Sequence, residues 1–274
     1  MGTIYVVATP IGNLEDVTLR ALRILTEVDL VLAEDTRTAR VLLRHYGIAS
    51  RLLSYTDHNK SQRIPDVLAV LEHSDVALVS DAGTPAISDP GVALVAAARA
   101  AGHGVVAVPG PSAVAAALSV AGLRTRSYSF VGFLPRQEGP LRALFASLAG
   151  RRDTIIAFES PRRLAKTLAA LADMLPDRRV AVCRELTKLH EEVFVGMAAE
   201  ARDRFATVRG EIVLIIEGAP TGERAPVPAE EDDALRAEVR QMRELGLTRS
   251  QAAALLQTRY RASRRRLYQL WLAP

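Results

Sequence analysis

Three glycine- and proline-rich segments carry the first chemical signal in this 274-residue chain. They are Thr9-Pro10-Ile11-Gly12-Asn13, the long run Ser80-Asp81-Ala82-Gly83-Thr84-Pro85-Ala86-Ile87-Ser88-Asp89-Pro90-Gly91, and Pro109-Gly110-Pro111-Ser112. Glycine lets backbone N–H and C=O groups approach a ligand closely, and proline holds the turn rigid. None has the spacing of a dinucleotide fingerprint or a P-loop. One such segment alone reads as a plain strand-to-helix turn; three at the same end of one sheet read as a ligand cradle. Ionisable residues gather in four further segments: Glu34-Asp35-Thr36-Arg37, Asp57-His58-Asn59-Lys60, Glu159-Ser160-Pro161-Arg162-Arg163 and Arg184-Glu185-Leu186-Thr187-Lys188. Singly, each is a helix cap or a solvated loop, with Asp35 placed to cap a helix and His58 more ordinary as a structural residue. Collected around one crevice, they suit a polar substrate and a charged cofactor.

The elements between these segments must bring them together. Short β-branched runs at Thr3–Ala8, Asp29–Ala33, Arg51–Tyr55, Val76–Ser80 and Gly104–Val108 read as strands. Helices are expected at Glu15–Leu25, Thr36–Tyr46, Arg63–Glu72 and Gly91–Ala101, with Gly47 and Gly102 ending two of them. Apolar strands alternating with helices imply a mainly parallel sheet covered on both faces. In such a sheet the glycine-rich segments lie at the carboxyl ends of strands, where open α/β sheets bind ligands.

The pattern changes beyond Pro109–Ser127. Strands are expected at Ser127–Gly132, Thr154–Phe158, Arg179–Cys183, Glu192–Val195 and Glu211–Glu217, two of them consecutive without a helix between. Ser160-Pro161 is a helix start, serine as cap and proline in the first turn. This implies a second α/β domain with a mixed sheet. A proline-rich linker, Ala219–Ala229, leads to three helix-length segments starting near Glu231, Thr248 and Ser263. The expected divisions are 1–111, 112–219 and 230–274.

Composition limits the class. Apolar residues make up 49% and charged residues 24%, which excludes disorder, collagen and a disulfide scaffold. No apolar run reaches the roughly 18 residues of a membrane span, and the start reads as a strand, not a signal peptide. One cysteine, Cys183, and no Cys/His cluster leave no disulfide and no zinc spacing. A cytoplasmic protein without a metal is expected. The net charge is +4, and 32 of the 35 cationic side chains are arginine. Coding bias favours arginine broadly, but from Gly246 to Pro274 six arginines (Arg249, Arg259, Arg261, Arg264, Arg265, Arg266) stand with no acid. That local excess suits a polyanionic partner.

The run VSDAGTPAISDPG (Val79 to Gly91), with VVATPIGNLED, AEDTR and DHN before it and VPGPSA, FES, RELTK and GEIVLIIEG after it, closely resembles the small-subunit ribosomal RNA methyltransferase I family of the tetrapyrrole-methylase superfamily. The resemblance runs in order from Ile4 to about Glu217. It implies two α/β domains plus a small helical tail, a homodimer, and 2'-O-methylation of a decoding-region cytidine in 16S ribosomal RNA with S-adenosylmethionine as donor. By position it implies cofactor contacts at Pro10, Asp81, Thr84, Ser112, Ala113, Phe158 and Glu159, and less directly at Leu186 and Val213.

Physical chemistry is compatible with that expectation. Backbone amides can take the donor's carboxylate, polar side chains such as Asp81 or Ser112 its polar groups, and an apolar wall its adenine. A carboxylate or imidazole near the ribose hydroxyl can accept its proton: Glu34 or Asp35 in the first reading, Asp57 or His58 in the second. Arg37, Lys60, Arg162, Arg163, Arg184 and Lys188 are expected to hold RNA phosphates. Two alternatives remain open on sequence alone: a tetrapyrrole-type small-molecule methyltransferase, and a non-enzymatic RNA-binding factor on the same fold.

Overall fold

A computed structural model of the chain describes residues 1–219, 229–259, 267, 270 and 271. Met1–Ala219 forms one compact unit and Pro220–Pro274 a second.

The first sheet is built from β1 (Thr3–Val7), β2 (Leu30–Ala33), β3 (Arg51–Ser54), β4 (Val76–Val79) and β5 (Gly104–Val108), all parallel in the order β3-β2-β4-β1-β5. The inner strands β2 (LVLA) and β4 (VALV) are buried throughout, because helices cover both faces. On one face α1 (Leu19–Glu27) and α2 (Thr36–His45) set Ile24, Leu25, Leu42 and Leu43 against Val7, Val31 and Val79. On the other, α3 (Lys60–Leu71) and α4 (Val92–Ala100) set Val67, Leu71 and Leu94 against Ile4, Leu32 and Leu78. The chain winds outward across the first face to β3 and returns across the second to β4 and β5. The loop after β4 therefore leaves for one face while those after its neighbours β1 and β2 leave for the other, and a crevice opens between them.

The helix expected over Glu15–Leu25 is displaced. Asn13 accepts from the Glu15 N–H at 3.1 Å and closes a 3₁₀ turn, Leu14–Asp16; Thr18 then accepts from the Ala21 N–H at 3.1 Å and starts α1. Two local caps override the apolar period. Helix α3 begins three residues earlier than expected, at Lys60, and accommodates Pro65. Gly47 and Gly102 do follow helix ends in the left-handed region, at φ 66° and 84°.

The second sheet has the order β6-β7-β10-β8-β9, from β6 (Tyr128–Phe133), β7 (Thr154–Glu159), β8 (Arg179–Arg184), β9 (Glu192–Met197) and β10 (Ile212–Ile216). β6 and β7 are parallel and every other pair is antiparallel, so the sheet is mixed. Helices α6 (Glu138–Leu148), α7 (Pro161–Met174) and α8 (Ala198–Arg204) cover one face, burying Phe145, Leu164, Leu168 and Leu171. The other face packs on α5 (Ala113–Val120) and on Ile11 and Ala82 from the first domain's loops. This shared apolar cluster joins the two sheets into one unit.

In the second unit, α9 (Ala229–Glu244) and α10 (Arg249–Arg259) start within two residues of expectation. Leu235, Val239, Leu256, Leu267 and Leu270 form its core. Of the third tail segment, expected from Ser263, only Leu267, Leu270 and Trp271 are described; Arg261, Arg264, Arg265, Arg266 and most of the 219–229 linker lie outside the described residues.

Candidate active site

The loops after β1, β4 and β5 meet at the carboxyl edge of the first sheet. Thr9 and Gly83 exchange backbone hydrogen bonds of 2.9 and 3.0 Å, pinning the loops after β1 and β4 together across the crevice. Thr84 Oγ1 donates to the Pro111 carbonyl at 3.4 Å and ties the second loop to the third. The long loop takes its path at a conformational cost. Ala86 and Ser88, both with side chains, sit in the left-handed region at φ 65° and 63°. Such positions cost about 1 kcal/mol each and persist where surrounding structure imposes them.

Between this edge and the second sheet lies a cleft of about 370 Å³. Seven of the nine residues expected to contact a cofactor line it: Thr84, Ser112 and Ala113 from the first domain's side, and Phe158, Glu159, Leu186 and Val213 from the second. Ser112 is the N-cap residue of α5 but makes no capping bond, so its hydroxyl and the helix's first N–H groups face a site suited to an anion. The opposite wall is aromatic. Phe158 packs edge-on against Phe130 and Phe133, with ring centroids 4.9 and 5.5 Å apart, and Phe133 stays 61% exposed at the mouth. Such a wall can hold a flat heterocycle.

Pro10 and Asp81 fall elsewhere. They line a neighbouring cavity of about 310 Å³ which shares Ile11, Ala82 and Glu211 with the first. Glu159 reaches the cleft, but its carboxylate is spent on the frame. Its oxygens accept from the Ser160 N–H and Thr167 Oγ1, each at 2.6 Å, and pair with Arg163 at 2.5 Å. The Ser160 hydroxyl, expected to cap α7, makes no such bond.

The acids at the ends of β2, β3 and β4 share one field. Burial raises the Glu34 carboxyl above its ordinary value, and the Asp81, Asp89, Asp57 and Asp35 carboxylates raise it further. Burial likewise raises Asp89, against the pull of Ser80. Asp35 behaves oppositely. Its side chain takes the Arg37 N–H at 2.7 Å and both arms of the Arg37 guanidinium, which holds its carboxyl down to about 2. As a cap and an ion-pair partner it is a poor proton acceptor, whereas burial and its acidic neighbours make the Glu34 carboxyl hold a proton more readily; neither Glu34 nor Asp35 lines either cavity. Asp57 pairs with Lys60 at 2.9 Å, and neither it nor the exposed His58 lines either cavity.

The expected phosphate-holding cations are mostly paired inside the chain. Arg37 pairs with Asp35, Lys60 with Asp57, Arg184 with Glu192, and Lys188 with both Glu185 and Glu211 at 2.8 and 2.9 Å. Arg163 is bound to Glu159 and to the Leu134 carbonyl. Only Arg162, exposed on the first turn of α7, has no ion-pair partner among the described residues. The cleft also uses residues the sequence did not single out, notably Ile11, Ile87, Asp89, Phe133 and the Gly210-Glu211 pair. Ile11, Ile87 and Asp89 sit inside the glycine-rich segments and Gly210-Glu211 opens the GEIVLIIEG run, so those could have been read there; Phe133 carries no local signal. Among the described residues no helix is long and apolar enough to cross a membrane, and no group of three His, Cys, Asp or Glu side chains could hold a metal ion.

With this geometry in place, similarity to known proteins becomes informative. Residues 3–202 match the family of Tetrapyrrole (Corrin/Porphyrin) Methylases. The chain is 46% identical to the Ribosomal RNA small subunit methyltransferase I of Synechocystis over 99% of its own length and 98% of the relative's. It is 47% identical to that of Thermotoga maritima, covering 80% of this chain and 99% of the other. Among solved structures, a cobalt precorrin-4 methyltransferase superposes with TM-score 0.60 at 19% identity, over 78% of this chain and 94% of that one. A Thermus thermophilus uroporphyrin-III C-methyltransferase, complexed with S-adenosyl homocysteine, gives 0.57 at 22%, over 79% and 97%. At those identities the structures speak to the fold, and the sequence relatives decide the branch. The chain belongs to the tetrapyrrole methylase family and, within it, to the ribosomal RNA small subunit methyltransferase I proteins.

Proposed function

We propose that this protein methylates the RNA of the small ribosomal subunit, with S-adenosylmethionine as donor and the 2'-oxygen of a cytidine ribose as acceptor. The observation that carries the reading is the 370 Å³ cleft between the glycine-rich loops and the second sheet, in a chain this similar to ribosomal RNA methyltransferases. When bound, S-adenosylmethionine supplies an electrophilic methyl group on a sulfonium centre. The residues present fit such a ligand. Ser112 and the first N–H groups of α5 would take its carboxylate, Phe158 and Leu186 would flank its adenine, and Asp89 places negative charge beside a cationic ligand.

The chain's own part is alignment and proton management. The pinned loops fix where the acceptor oxygen can stand, and the apolar walls exclude the water that would otherwise solvate it. Glu34, its carboxyl raised by burial and four acidic neighbours, accepts the proton from the ribose hydroxyl. Exposed pairs such as Arg37–Asp35 and Lys60–Asp57 open to receive RNA phosphates. We further propose a homodimeric, cytoplasmic enzyme. The test is transfer of a labelled methyl group from S-adenosylmethionine to small-subunit RNA from cells lacking the enzyme, followed by mass analysis of the nucleosides. A 2'-O-methylcytidine is expected; a base-methylated product or no transfer overturns the reading.

A further inference from the structure

A third cavity, of about 360 Å³ and open to solvent, lies where β8 ends and β9 begins, and it has no role in the reading above. Arg184, Arg204 and Arg209 line it together with a single carboxylate, Glu192. Buried Phe205, packed edge-on against Phe194 with ring centroids 5.9 Å apart, gives it an apolar floor. Two of the guanidiniums are held in place. Arg184 Nε donates to Glu192 Oε2 at 3.1 Å, and its Nη1 donates to the Arg209 carbonyl at 3.4 Å. Arg204 Nε donates to Glu192 Oε1 at 2.8 Å, and its guanidinium carbon stands 5.7 Å from the centroid of the Phe194 ring. A guanidinium has five N–H donors, so both keep donors to spare. Arg209 is exposed and has no ion-pair partner among the described residues.

We infer that this cavity seats a phosphodiester of the RNA strand beside the nucleotide being methylated, held by Arg184, Arg204 and Arg209. The inference rests on the RNA-methylating reading and adds to it an anchoring site on the second domain. Charge gives the first argument. At Arg37–Asp35 and Lys60–Asp57 each cation meets a carboxylate of its own, whereas here two guanidiniums share Glu192 and a third has none. A phosphodiester carries its charge on two oxygens, and the planar guanidinium fork matches that pair. Position gives the second. Arg209 directly precedes Gly210 and Glu211, which line the cofactor cleft, and Arg184 stands opposite the cleft residue Ile212 across the β8–β10 ladder. Cavity and cleft are therefore neighbours around the start of β10, and a ribose at the cleft carries its flanking phosphates toward the arginines. The third argument is order before binding. Glu192 and the Phe194 ring already fix Arg184 and Arg204, so little side-chain freedom is lost when a phosphate arrives.

The experiment titrates the full chain with small-subunit RNA from cells lacking the enzyme, at several salt concentrations, and reads Kd and the slope of log Kd against log salt. Arg209→Ala and Arg204→Ala should each lower that slope by about 1. Their loss of affinity should therefore shrink about fourfold as salt rises from about 50 to about 200 mM. Arg209→Lys keeps the charge and should keep the slope. The calorimetric Kd for S-adenosylmethionine should stay unchanged in all three. Thr207→Glu, at an exposed position lining the cavity, adds a carboxylate and should weaken RNA binding at unchanged Tm. An unaltered slope in Arg209→Ala, a cofactor Kd raised tenfold by it, or unaltered RNA binding in Thr207→Glu overturns the inference. So does a weakening seen with assembled small subunits but not with bare RNA, which would give the cavity to an acidic protein surface. Should Arg204→Ala fail to fold, Arg209→Ala and Thr207→Glu decide. Absence of any methyl transfer by the unaltered enzyme instead overturns the reading of the activity, and the slopes still decide whether the cavity holds phosphate.

Discussion

Glu159 separates a structural role from a ligand-binding one. Its side chain is fully buried at the cleft, and every bond it makes is to the protein: the Ser160 N–H, Thr167 Oγ1 and the Arg163 guanidinium. Glu159→Ala strands three donors at once. Removing one partner of a buried ion pair costs about 3–5 kcal/mol. Arg163 is still one-quarter exposed and keeps the Leu134 carbonyl at 3.2 Å, so the low end applies. A loss of about 3 kcal/mol should lower the Tm of the unit holding both sheets by roughly 6–12 °C. Thr167→Val removes one bond at constant shape and should cost about 1 kcal/mol. Glu159→Leu combined with Arg163→Met should lose less than Glu159→Ala alone, since an apolar pair leaves no stranded charge. Calorimetric melting and a calorimetric Kd for S-adenosylmethionine, measured on the same preparations, read the two roles separately. An unchanged Tm with a Kd raised more than tenfold refutes the structural assignment and returns the carboxylate to the ligand.

Three further outcomes follow from the geometry. Glu34→Gln should lower kcat by about 10²–10⁴ while cofactor binding persists, and should abolish the acid limb of the kcat–pH profile, which in the unaltered enzyme is displaced upward from that of an ordinary glutamate; retained activity or lost cofactor binding removes Glu34 as the base. A Cβ at Gly12 would stand 2.5 Å from Lys188 Cγ and 2.9 Å from the Leu186 carbonyl, so Gly12→Val should push the β8–β9 loop off the first domain and weaken cofactor binding, and an unaltered Kd would show that this contact is dispensable. Arg151 and Ser129 hold the Asp153 carboxyl down to about 2 from 3.8, so its stabilisation is complete above the unfolded value and drains away as pH falls toward 2; the stability gap between the protein and Asp153→Asn, from urea unfolding, should close over that interval, and a gap constant with pH would contradict the pairing.

Much of the fold was legible because local pattern and tertiary demand agree in it. The runs LVLA and VALV are apolar without alternation, as suits strands covered on both faces. The three glycine-rich segments lie where the topology requires ligand loops. Legibility fails where the signal is short-range or absent. Asn13 and Thr18, two ordinary polar residues, redirect the 14–18 segment by capping, against a helical apolar period. Helix α5 (AVAAALSV) is apolar at every position but Ser119, although Ala115 and Val120 are exposed, and so shows no period to find. Lys188 and Leu186 come to lie against Gly12 beside the two cavities, and residues so far apart in the chain give no local sign of it.

Pairing strengths decide which of the expected phosphate ligands can serve. Arg37 is 86% exposed in its pair with Asp35, and Lys60 and Asp57 are 41% and 67% exposed in theirs. Solvent-screened pairs of that kind are weak, so a phosphate can displace the carboxylate at little cost. Arg163 differs, because Glu159 opposite it is wholly buried and has no solvent to return to. Recruiting Arg163 to RNA would cost the frame more than a phosphate contact returns. The same reasoning separates the two acids at the end of β2. Asp35 gains from Arg37 by being ionised, whereas Glu34 is penalised for it by burial and four carboxylates and so has reason to take up a proton. Adjacent in sequence and alike in chemistry, they are set apart by whether a guanidinium or a carboxylate lies across from them.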